Sequence, residues 1–162
     1  MEILTVVEDE NGNIILGTDG DGIYIVNESK TVHINTENGL NSDVVMKIKK
    51  DIKKNIFWII TSNSISYMNS LEHSIKTIHN FSDSNYYDLV ENDNSKMWIL
   101  SSNGIYIVTV KELLENKEIV PVFYGLENGL SYIPTANSYS ELMDDGTFFI
   151  AGCEGVEKTA RK

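Results

Sequence analysis

The stretch ILGTDGDGIYIV at residues 15–26 returns in altered form as WIITSNSISYM (58–68), WILSSNGIYIV (98–108) and FIAGCEGVEK (149–158). Each copy has a bulky residue, a short apolar run, a turn of small and polar residues, and a second apolar alternation. Intervals of 42, 40 and 51 residues separate the first apolar residues after the turn, which are Ile23, Ile65, Ile105 and Val156. A repeat of this length predicts a protein built from equivalent structural units.

Each unit is predicted to contain short strands separated by turn signals. In the first unit the strands are predicted at 3–8, 14–18, 23–27 and 31–35. The second and third units repeat the plan at 44–49, 56–61, 65–69, 75–81, 86–91, 96–101, 104–110 and 118–124. The fourth has three predicted strands, at 137–143, 147–151 and 155–159. The long third interval contains the charged, helix-prone insertion KELLENKEI at 111–119.

Four short strands in each repeat are the signature of a β-propeller blade. A β-sandwich also has many short strands, but it has no reason to repeat one turn and one bulky residue at a fixed period. We therefore predict an all-β chain that forms a partial β-propeller of about four blades. Each blade is a four-stranded antiparallel sheet, and the last blade is incomplete. The blades cover about 3–36, 44–81, 86–124 and 137–160 of one domain spanning 1–162, with no separate second domain.

One bulky residue precedes the central turn of each predicted blade. These structural blade positions are Ile15, Trp58, Trp98 and Phe149. On a propeller they lie on the second strand, where large side chains pack between neighbouring blades and bury a large area. We expect them to belong to the core and not to stack on a ligand.

Composition excludes several classes of function. A net charge of −11 argues against nucleic acid as a partner, because phosphate binding needs a basic patch. The single cysteine, Cys153, rules out an intrachain disulfide and a cysteine-rich zinc site. No apolar run is long enough to cross a bilayer, and the first residues lack the pattern of a targeting signal, so we expect no direct membrane insertion of this segment.

The repeat resembles the two-component-regulator propeller family. ENGLNSDVVMKIKKDIKKNIFWIITSNSISYM (37–68), YYDLVENDNSKMWILSSNGIYIV (86–108) and VVEDENGNIILGTDGDGIYIV (6–26) carry the resemblance. ENGL opens a unit at residue 37 and again at residue 127. The chain departs from the family pattern at Ile15, where an aromatic residue is usual, and at Ser64, where glycine is usual.

This resemblance implies a function in signalling. Such repeats form the sensor region of bacterial hybrid histidine kinases and of some diguanylate cyclases. It therefore implies a non-catalytic, ligand-binding sensor module in the extracytoplasmic region of a membrane-anchored receptor, at the periplasm or outer cell surface. The output kinase or cyclase would lie elsewhere in such a protein. The alternatives are a structural propeller that binds other proteins and, less favoured, a carbohydrate-active propeller enzyme.

Blade geometry predicts where a ligand would bind. In a four-stranded blade the turn between strands two and three lies at the same end as the connector to the next blade. We call this end the connector face. Its side chains suit a hydroxyl-rich ligand such as an oligosaccharide. The candidate ligand-binding residues there are Asp19, Asp21, Asn38, Asn41, Asp43, Asn63, Asn85, Asn103, Asn128 and Tyr132.

No catalytic or metal site is predicted. The histidines His33, His73 and His79 lack metal-ligand spacing, and no nucleophile motif is present. Neither DENGN at 9–13 nor DGDG at 19–22 continues as a calcium-binding loop. We therefore expect no cofactor. Because open blade edges are prone to pairing, we expect self-association through those edges. A partner protein is the alternative to the hydroxyl-rich ligand.

Overall fold

The computed structural model describes residues 1–79, 81, 85–92, 94–136 and 139–160 of the chain. The chain divides into two compact units, Met1–His79 and Asn80–Lys162. Each unit contains two antiparallel sheets whose strands follow one another in chain order. The predicted all-β fold is confirmed: the sheets are blades of a partial β-propeller, and the last sheet is incomplete, with three strands.

The first unit contains two complete four-stranded sheets. The strands of the first sheet are β1 (Ile3–Glu8), β2 (Ile14–Thr18), β3 (Ile23–Val26) and β4 (Thr31–Ile34). Those of the second are β5 (Val45–Lys50), β6 (Ile56–Thr61), β7 (Ile65–Asn69) and β8 (Ile75–Thr77). Seven of these strands lie within one residue of their predicted bounds, because apolar patterns and turn signals are local features of the sequence. The exception is β8, which was predicted at 75–81 and ends at Thr77.

One apolar cluster holds the two sheets of the first unit together. Ile15 and Ile25 from the first sheet and Phe57 and Ile59 from the second are its members, each with 3% or less of its surface exposed. Glycine at position 17 permits the close approach of the sheets, since a Cβ there would lie 2.7 Å from a methyl carbon of Val45. Packing at this density is sensitive to the loss or gain of a single methyl group.

The connector between these two sheets contains the first ENGL segment. Residues Thr36–Asn38 form a 3₁₀ turn, and Gly39 follows with a φ of 106°. A side chain at that φ would be strained, so the glycine fits the turn. Leu40 is 4% exposed and belongs to the apolar cluster, which anchors the connector before β5 begins.

The second unit has one complete sheet and one three-stranded sheet. The first consists of β9 (Tyr86–Glu91), β10 (Lys96–Ser101), β11 (Gly104–Thr109) and β12 (Val122–Tyr124). The second consists of β13 (Ser140–Leu142), β14 (Thr147–Ala151) and β15 (Val156–Ala160). Phe148 and Ile150 of β14 pack against Trp98 and Leu100 of β10. The predicted first strand at 137–143 includes 137–138, which lie outside the described residues.

The insertion at 111–119 forms the helix α1 (Val110–Glu115), as its composition predicted. Thr109 caps its start by accepting a hydrogen bond from the amide of Glu112, whose carboxylate accepts one from the amide of Thr109. Two residues of the helix itself, Val110 and Leu113, are buried. The helix shortens both neighbouring strands: β11 ends at residue 109 instead of 110, and β12 begins at residue 122 instead of 118.

Within the described residues, no helix has the length and apolar character that a membrane crossing requires.

Candidate functional site

The connector face of the first unit is built around the main chain of residues 42–44. The carbonyl oxygen of Asp43 accepts hydrogen bonds from the amides of Gly20 (3.2 Å) and Gly22 (2.8 Å), in the turn after β2. The carbonyl oxygen of Val44 accepts one from the amide of Ser62 (3.1 Å), in the turn after β6. The connector therefore binds both neighbouring turns and brings them to one end of the unit.

Some predicted ligand-binding side chains on this face are used to hold the connector. Asp43 accepts hydrogen bonds from the amide (2.8 Å) and the hydroxyl (3.2 Å) of Thr36. The side-chain oxygen of Asn38 accepts one from the amide of Asn35 (3.1 Å). These oxygens complete a capping arrangement for the 3₁₀ turn, so their first role is structural.

Other predicted residues on the same face present side chains to solvent. Asp19, Asn41 and Asn63 are exposed. The side-chain oxygen of Asn63 accepts a hydrogen bond of 3.2 Å from the hydroxyl of Thr61, and the side-chain nitrogen of Asn63 carries two further N–H donors. The face thus offers a carboxylate and two carboxamides on a hydrogen-bonded backbone.

Asp21 belongs to a cluster that sequence reasoning did not find. The hydroxyl of Tyr24 donates a hydrogen bond of 2.6 Å to the carboxylate of Asp21. The ring of His33 stacks on that of Tyr24, with centroids 4.4 Å apart and planes 8° from parallel, and its Nε2 donates to the carbonyl oxygen of Asp21 (2.8 Å). The bond to Asp21 stabilises the neutral phenol and raises the pKa of Tyr24 above its ordinary value.

A signal for this cluster was present in the sequence. Tyr24 and His33 are cross-strand partners in the pairing of β3 with β4. Once those strands and their short turn are predicted, the register places the two rings opposite each other. His33 is exposed, and its ring also stacks on Tyr24 and bonds the main chain of Asp21, two contacts that were not predicted.

In the second unit, the predicted residues Asn85, Asn103 and Asn128 are exposed. The carbonyl oxygen of Asn85 accepts a hydrogen bond from the amide of Ser102 (2.9 Å), beside Asn103 in the turn after β10. The side chain of Asn128 bonds the main chain at both ends: its nitrogen donates to the carbonyl of Phe123 (2.9 Å), and its oxygen accepts from the amide of Gly125. Asn128 therefore closes the second ENGL turn.

Tyr132 is half-buried against the turn that follows β14. A Cβ built on Gly155 would lie 2.7 Å from two ring carbons of Tyr132, and one built on Gly152 would lie 2.4 Å from its Cβ. The amide of Cys153 also donates to the carbonyl oxygen of Ile133 (3.0 Å). The tyrosine ring lies directly on the glycine backbone, so its packing fixes this connector.

The four structural blade positions differ in their burial. Ile15, Trp58 and Trp98 are 1%, 2% and 9% exposed. Phe149 is only partly buried, and the ammonium group of Lys158 lies 5.8 Å from its ring centroid. The fully buried aromatic residue of β14 is its neighbour Phe148, at 1% exposure, which faces Trp98 at a centroid distance of 6.1 Å.

A cavity of about 460 Å³ lies between the two sheets of the second unit. Its wall on the first sheet includes Trp98, Ile105, Ile107 and Tyr124. On the other side it is lined by residues 157–159 of β15. A volume of this size falls in the range of about 300–1,000 Å³ that is typical of ligand sites.

In the part of the chain that the structure describes, no three His, Cys, Asp or Glu side chains come together as metal ligands would. Asp9 begins the acidic segment DENGN at 9–13, and it has a structural role. Burial opposes its ionisation, but hydrogen bonds from Asn13 and Asn11 outweigh that effect and hold the pKa of Asp9 below its ordinary value. Its carboxylate closes the hairpin between β1 and β2.

Comparison with known proteins shows the fold. The chain superimposes on the extracellular domain of the one-component system BT4673 from B. thetaiotaomicron with a TM-score of 0.75 and 16% identity, covering 96% of this chain and 21% of that one. The extracellular domain of the hybrid two-component system BT3049 from B. thetaiotaomicron gives a TM-score of 0.73 and 12% identity, covering 99% and 23%.

An enzyme has a similar fold as well. An ancestral GH74 enzyme matches with a TM-score of 0.69 and 12% identity, covering 98% of this chain and 22% of that one. This chain therefore spans about a fifth of the length of these three structures. Neither a protein-family model nor a curated protein sequence matches it.

Proposed function

We propose that this chain is a non-catalytic sensor module of an extracytoplasmic bacterial receptor, and that its connector face binds a hydroxyl-rich ligand. Two observations support the proposal: the fold is similar to extracellular domains of two signalling systems, and residues 42–44 tie two polar turns into one surface. Loops held on a rigid scaffold are where binding residues concentrate.

One observation supports a hydroxyl-rich ligand: exposed carboxamide side chains lie on turns whose main chain is held by hydrogen bonds. Asn41 and Asn63 lie on the connector and on the turn bonded to it, with Asp19 on the other bonded turn. Amides and carboxylates supply both the donors and the acceptors that sugar hydroxyls need. Because the turns are already hydrogen-bonded, little conformational entropy would be lost when a ligand binds.

Signalling would follow from differential affinity. A ligand shifts an equilibrium between two receptor arrangements only as far as its affinities for the two arrangements differ. The module needs no bond-making chemistry for this task. The receptor would carry it outside the cytoplasm, at the periplasm or the outer cell surface, joined to a membrane anchor.

A panel of neutral and acidic oligosaccharides, screened by thermal shift and then by calorimetry, tests the ligand class. The double variant Asn41→Ala/Asn63→Ala should weaken binding by about tenfold or more, since each amide would contribute one or two hydrogen bonds. Asn11→Ala is the matched control, because Asn11 is also exposed but lies in the turn at the opposite end of the first sheet. Binding that is absent across the panel, or equally sensitive to both variants, would contradict the proposal.

A second candidate function is a propeller that binds other proteins and senses nothing itself. It is favoured by apolar side chains on the first sheet: Val6 is 59% exposed and Ile14 is 38% exposed. A third, a carbohydrate-active enzyme, has only the similarity of fold to the GH74 enzyme in its favour. Capture of a protein partner that is abolished by Val6→Lys, with no sugar binding, would favour the second candidate.

A further inference from the structure

We propose that the exposed ring of Phe123, with the carboxamides of Asn85 and Asn103 beside it, binds the ring of a neutral sugar. We call these three residues the Phe123 subsite. They lie in the second unit, on β12, on the segment before β9 and in the turn after β10. The subsite rests on the proposed function for its ligand class, but it uses none of the first-unit residues named there.

Phe123 is the exposed end of a group of aromatic rings. Its ring centroid lies 4.8 Å from that of Tyr106, and the ring of Phe81 lies 5.4 Å from Tyr106 and 5.6 Å from Tyr86. Tyr86 and Tyr106 are 4% and 8% exposed, whereas Phe123 is 37% exposed. The buried rings support Phe123, so a ligand that stacks on it meets a surface that is already formed.

Two glycines let the ring of Phe123 lie close to the main chain of the neighbouring turns. A Cβ built on Gly104 would lie 3.0 Å from one ring carbon of Phe123, and one built on Gly125 would lie 3.0 Å from another. The side-chain nitrogen of Asn128 also donates a hydrogen bond of 2.9 Å to the carbonyl oxygen of Phe123. These contacts hold the ring beside the turn that joins β10 to β11.

Two carboxamides next to this ring have hydrogen-bonding groups to spare. Asn103 directly precedes Gly104, and the carbonyl oxygen of Asn85 accepts a hydrogen bond of 2.9 Å from the amide of Ser102. The side chains of Asn85 and Asn103 are both exposed. Of the hydrogen bonds described for the chain, one of 3.4 Å reaches the side-chain oxygen of Asn103, and none uses its side-chain nitrogen or the side chain of Asn85. Each nitrogen can therefore donate to a ligand.

The same ring pair occurs at the corresponding place in the first unit. Tyr106 on β11 and Phe123 on β12 are cross-strand partners, as Tyr24 on β3 and His33 on β4 are. Such a pair stabilises a sheet in either unit. The residue opposite the tyrosine is titratable in one unit and apolar in the other, so aromatic surface is the property that both pairs share.

An exposed aromatic ring flanked by carboxamides suits a sugar. One face of a pyranose ring carries C–H groups that can lie on the face of an aromatic side chain, where the charge distribution is negative. The hydroxyls project from the edge of the sugar ring, where amide groups can donate to them and accept from them. Small-molecule sites commonly combine apolar contact with a few polar groups that fix orientation. The Phe123 subsite supplies both.

The test uses the full chain and neutral hexasaccharides of glucose, xylose, mannose or galactose, added one at a time and followed by NMR. A sugar that stacks on Phe123 should have its ring C–H protons shifted upfield by the aromatic ring current. A phenylalanine with only a structural role would not produce this shift. Phe123→Ala should remove the shift and weaken binding by about tenfold.

Three further variants locate the subsite. Phe123→Tyr keeps an aromatic ring and should keep the shift, so a loss seen only with alanine reports the ring and not the fold. Asn103→Ala should weaken binding by about fivefold, because it removes one or two hydrogen bonds. Val122→Ala is the matched control: Val122 is 56% exposed on the same strand, and successive strand residues point to opposite faces. It should leave binding unchanged.

The outcomes separate this subsite from the proposed first-unit site. Binding that Phe123→Ala weakens and Asn41→Ala/Asn63→Ala does not would support the subsite and contradict the first-unit site. The reverse pattern would overturn the subsite and leave the proposed function standing, and absence of binding by every sugar would overturn both. Equal losses from Val122→Ala and Phe123→Ala would also overturn the subsite. So would self-association that Phe123→Ala abolishes, measured by light scattering, without any sugar-induced shift.

Discussion

The indole nitrogen of Trp58 donates a hydrogen bond of 2.9 Å to the carboxylate of Asp51, and both residues are almost fully buried. The other oxygen of Asp51 accepts from the amides of Lys53 (2.9 Å) and Lys54 (2.7 Å), which closes the hairpin between β5 and β6. One carboxylate therefore fixes both a turn and the bulky side chain of its sheet.

The next sheet has asparagine at this position. The side-chain oxygen of Asn92 accepts from the amides of Asn94 (3.1 Å) and Lys96 (2.8 Å), as Asp51 does in its hairpin. The other polar atom of the Asn92 side chain is an amide nitrogen, which donates hydrogen bonds and cannot accept one from the indole N–H. The buried Nε1 of Trp98 accordingly has no hydrogen-bond partner among the described residues.

This difference predicts unequal costs for the same substitution. Trp58→Phe and Trp98→Phe remove similar apolar volume, but only the first takes the indole donor away from one oxygen of a buried carboxylate, Oδ2 of Asp51. We expect Trp58→Phe to lower the free energy of unfolding by about 1–3 kcal/mol more than Trp98→Phe. Denaturant unfolding followed by circular dichroism measures both, and equal losses would contradict the assigned role of the bond.

The contact between Tyr132 and Gly155 predicts that removing the tyrosine ring reduces the cost of a substitution at Gly155. Gly155→Ala would place a methyl group 2.7 Å from the ring carbons of Tyr132, so we expect a loss of stability of about 1–3 kcal/mol. In a Tyr132→Ala background the same change should cost much less, because the clashing ring is gone. A double-mutant cycle on the unfolding free energy checks this. Additive effects would mean that the ring does not limit the space at Gly155.

The hydrogen bond from Tyr24 to Asp21 predicts a change in titration. Asp21→Asn removes the acceptor charge, so the pKa of Tyr24 should fall toward its ordinary value. Because the folded pKa is raised, the bond stabilises the fold fully below the ordinary tyrosine pKa, and that stabilisation is lost as pH rises through the raised value. Titration of a ¹³C label on the tyrosine ring measures the shift. Asp19→Asn, on the neighbouring exposed carboxylate, should leave the Tyr24 pKa nearly unchanged.

The exposed apolar residues of the first sheet predict self-association. Val6 pairs with Leu16 and Glu8 with Ile14, so Val6 and Ile14 lie on the same face of the β1–β2 ladder. We expect the apparent mass to rise with concentration and Val6→Lys/Ile14→Lys to return the chain to a monomer. Light scattering after size exclusion gives the mass. A wild-type chain that stays monomeric at every concentration would rule out this contact.

Local sequence features predicted the repeated plan of strands and turns. Short apolar runs marked β6 and β10, and glycines marked the turns where φ is positive, as at Gly20 (93°) and Gly22 (72°). These features act over a few residues, so no tertiary information was needed. The strand ends next to α1 were less well predicted, because Val110 fits either a strand or the first turn of a helix.

The candidate site was predicted only in part. Blade geometry placed Asp19, Asn41 and Asn63 correctly on loops tied to one connector. It could not show that Asp43 and Asn128 use their side chains to close turns, because that depends on the direction each side chain takes once the backbone has folded. Their capacity to bind a ligand stays a prediction.

The sequence by itself determined the order, period and turns of the sheets, because hydrophobic alternation and turn propensity are properties of neighbouring residues. Only the tertiary structure decided which polar groups find partners and which spaces stay open. Among the residues that the structure describes, Trp58 has an acceptor for its indole N–H and Trp98 has none, although the two strands look alike in sequence. The cavity beside β15 is likewise formed by residues that are far apart in the chain, such as Trp98, Tyr124 and Thr159.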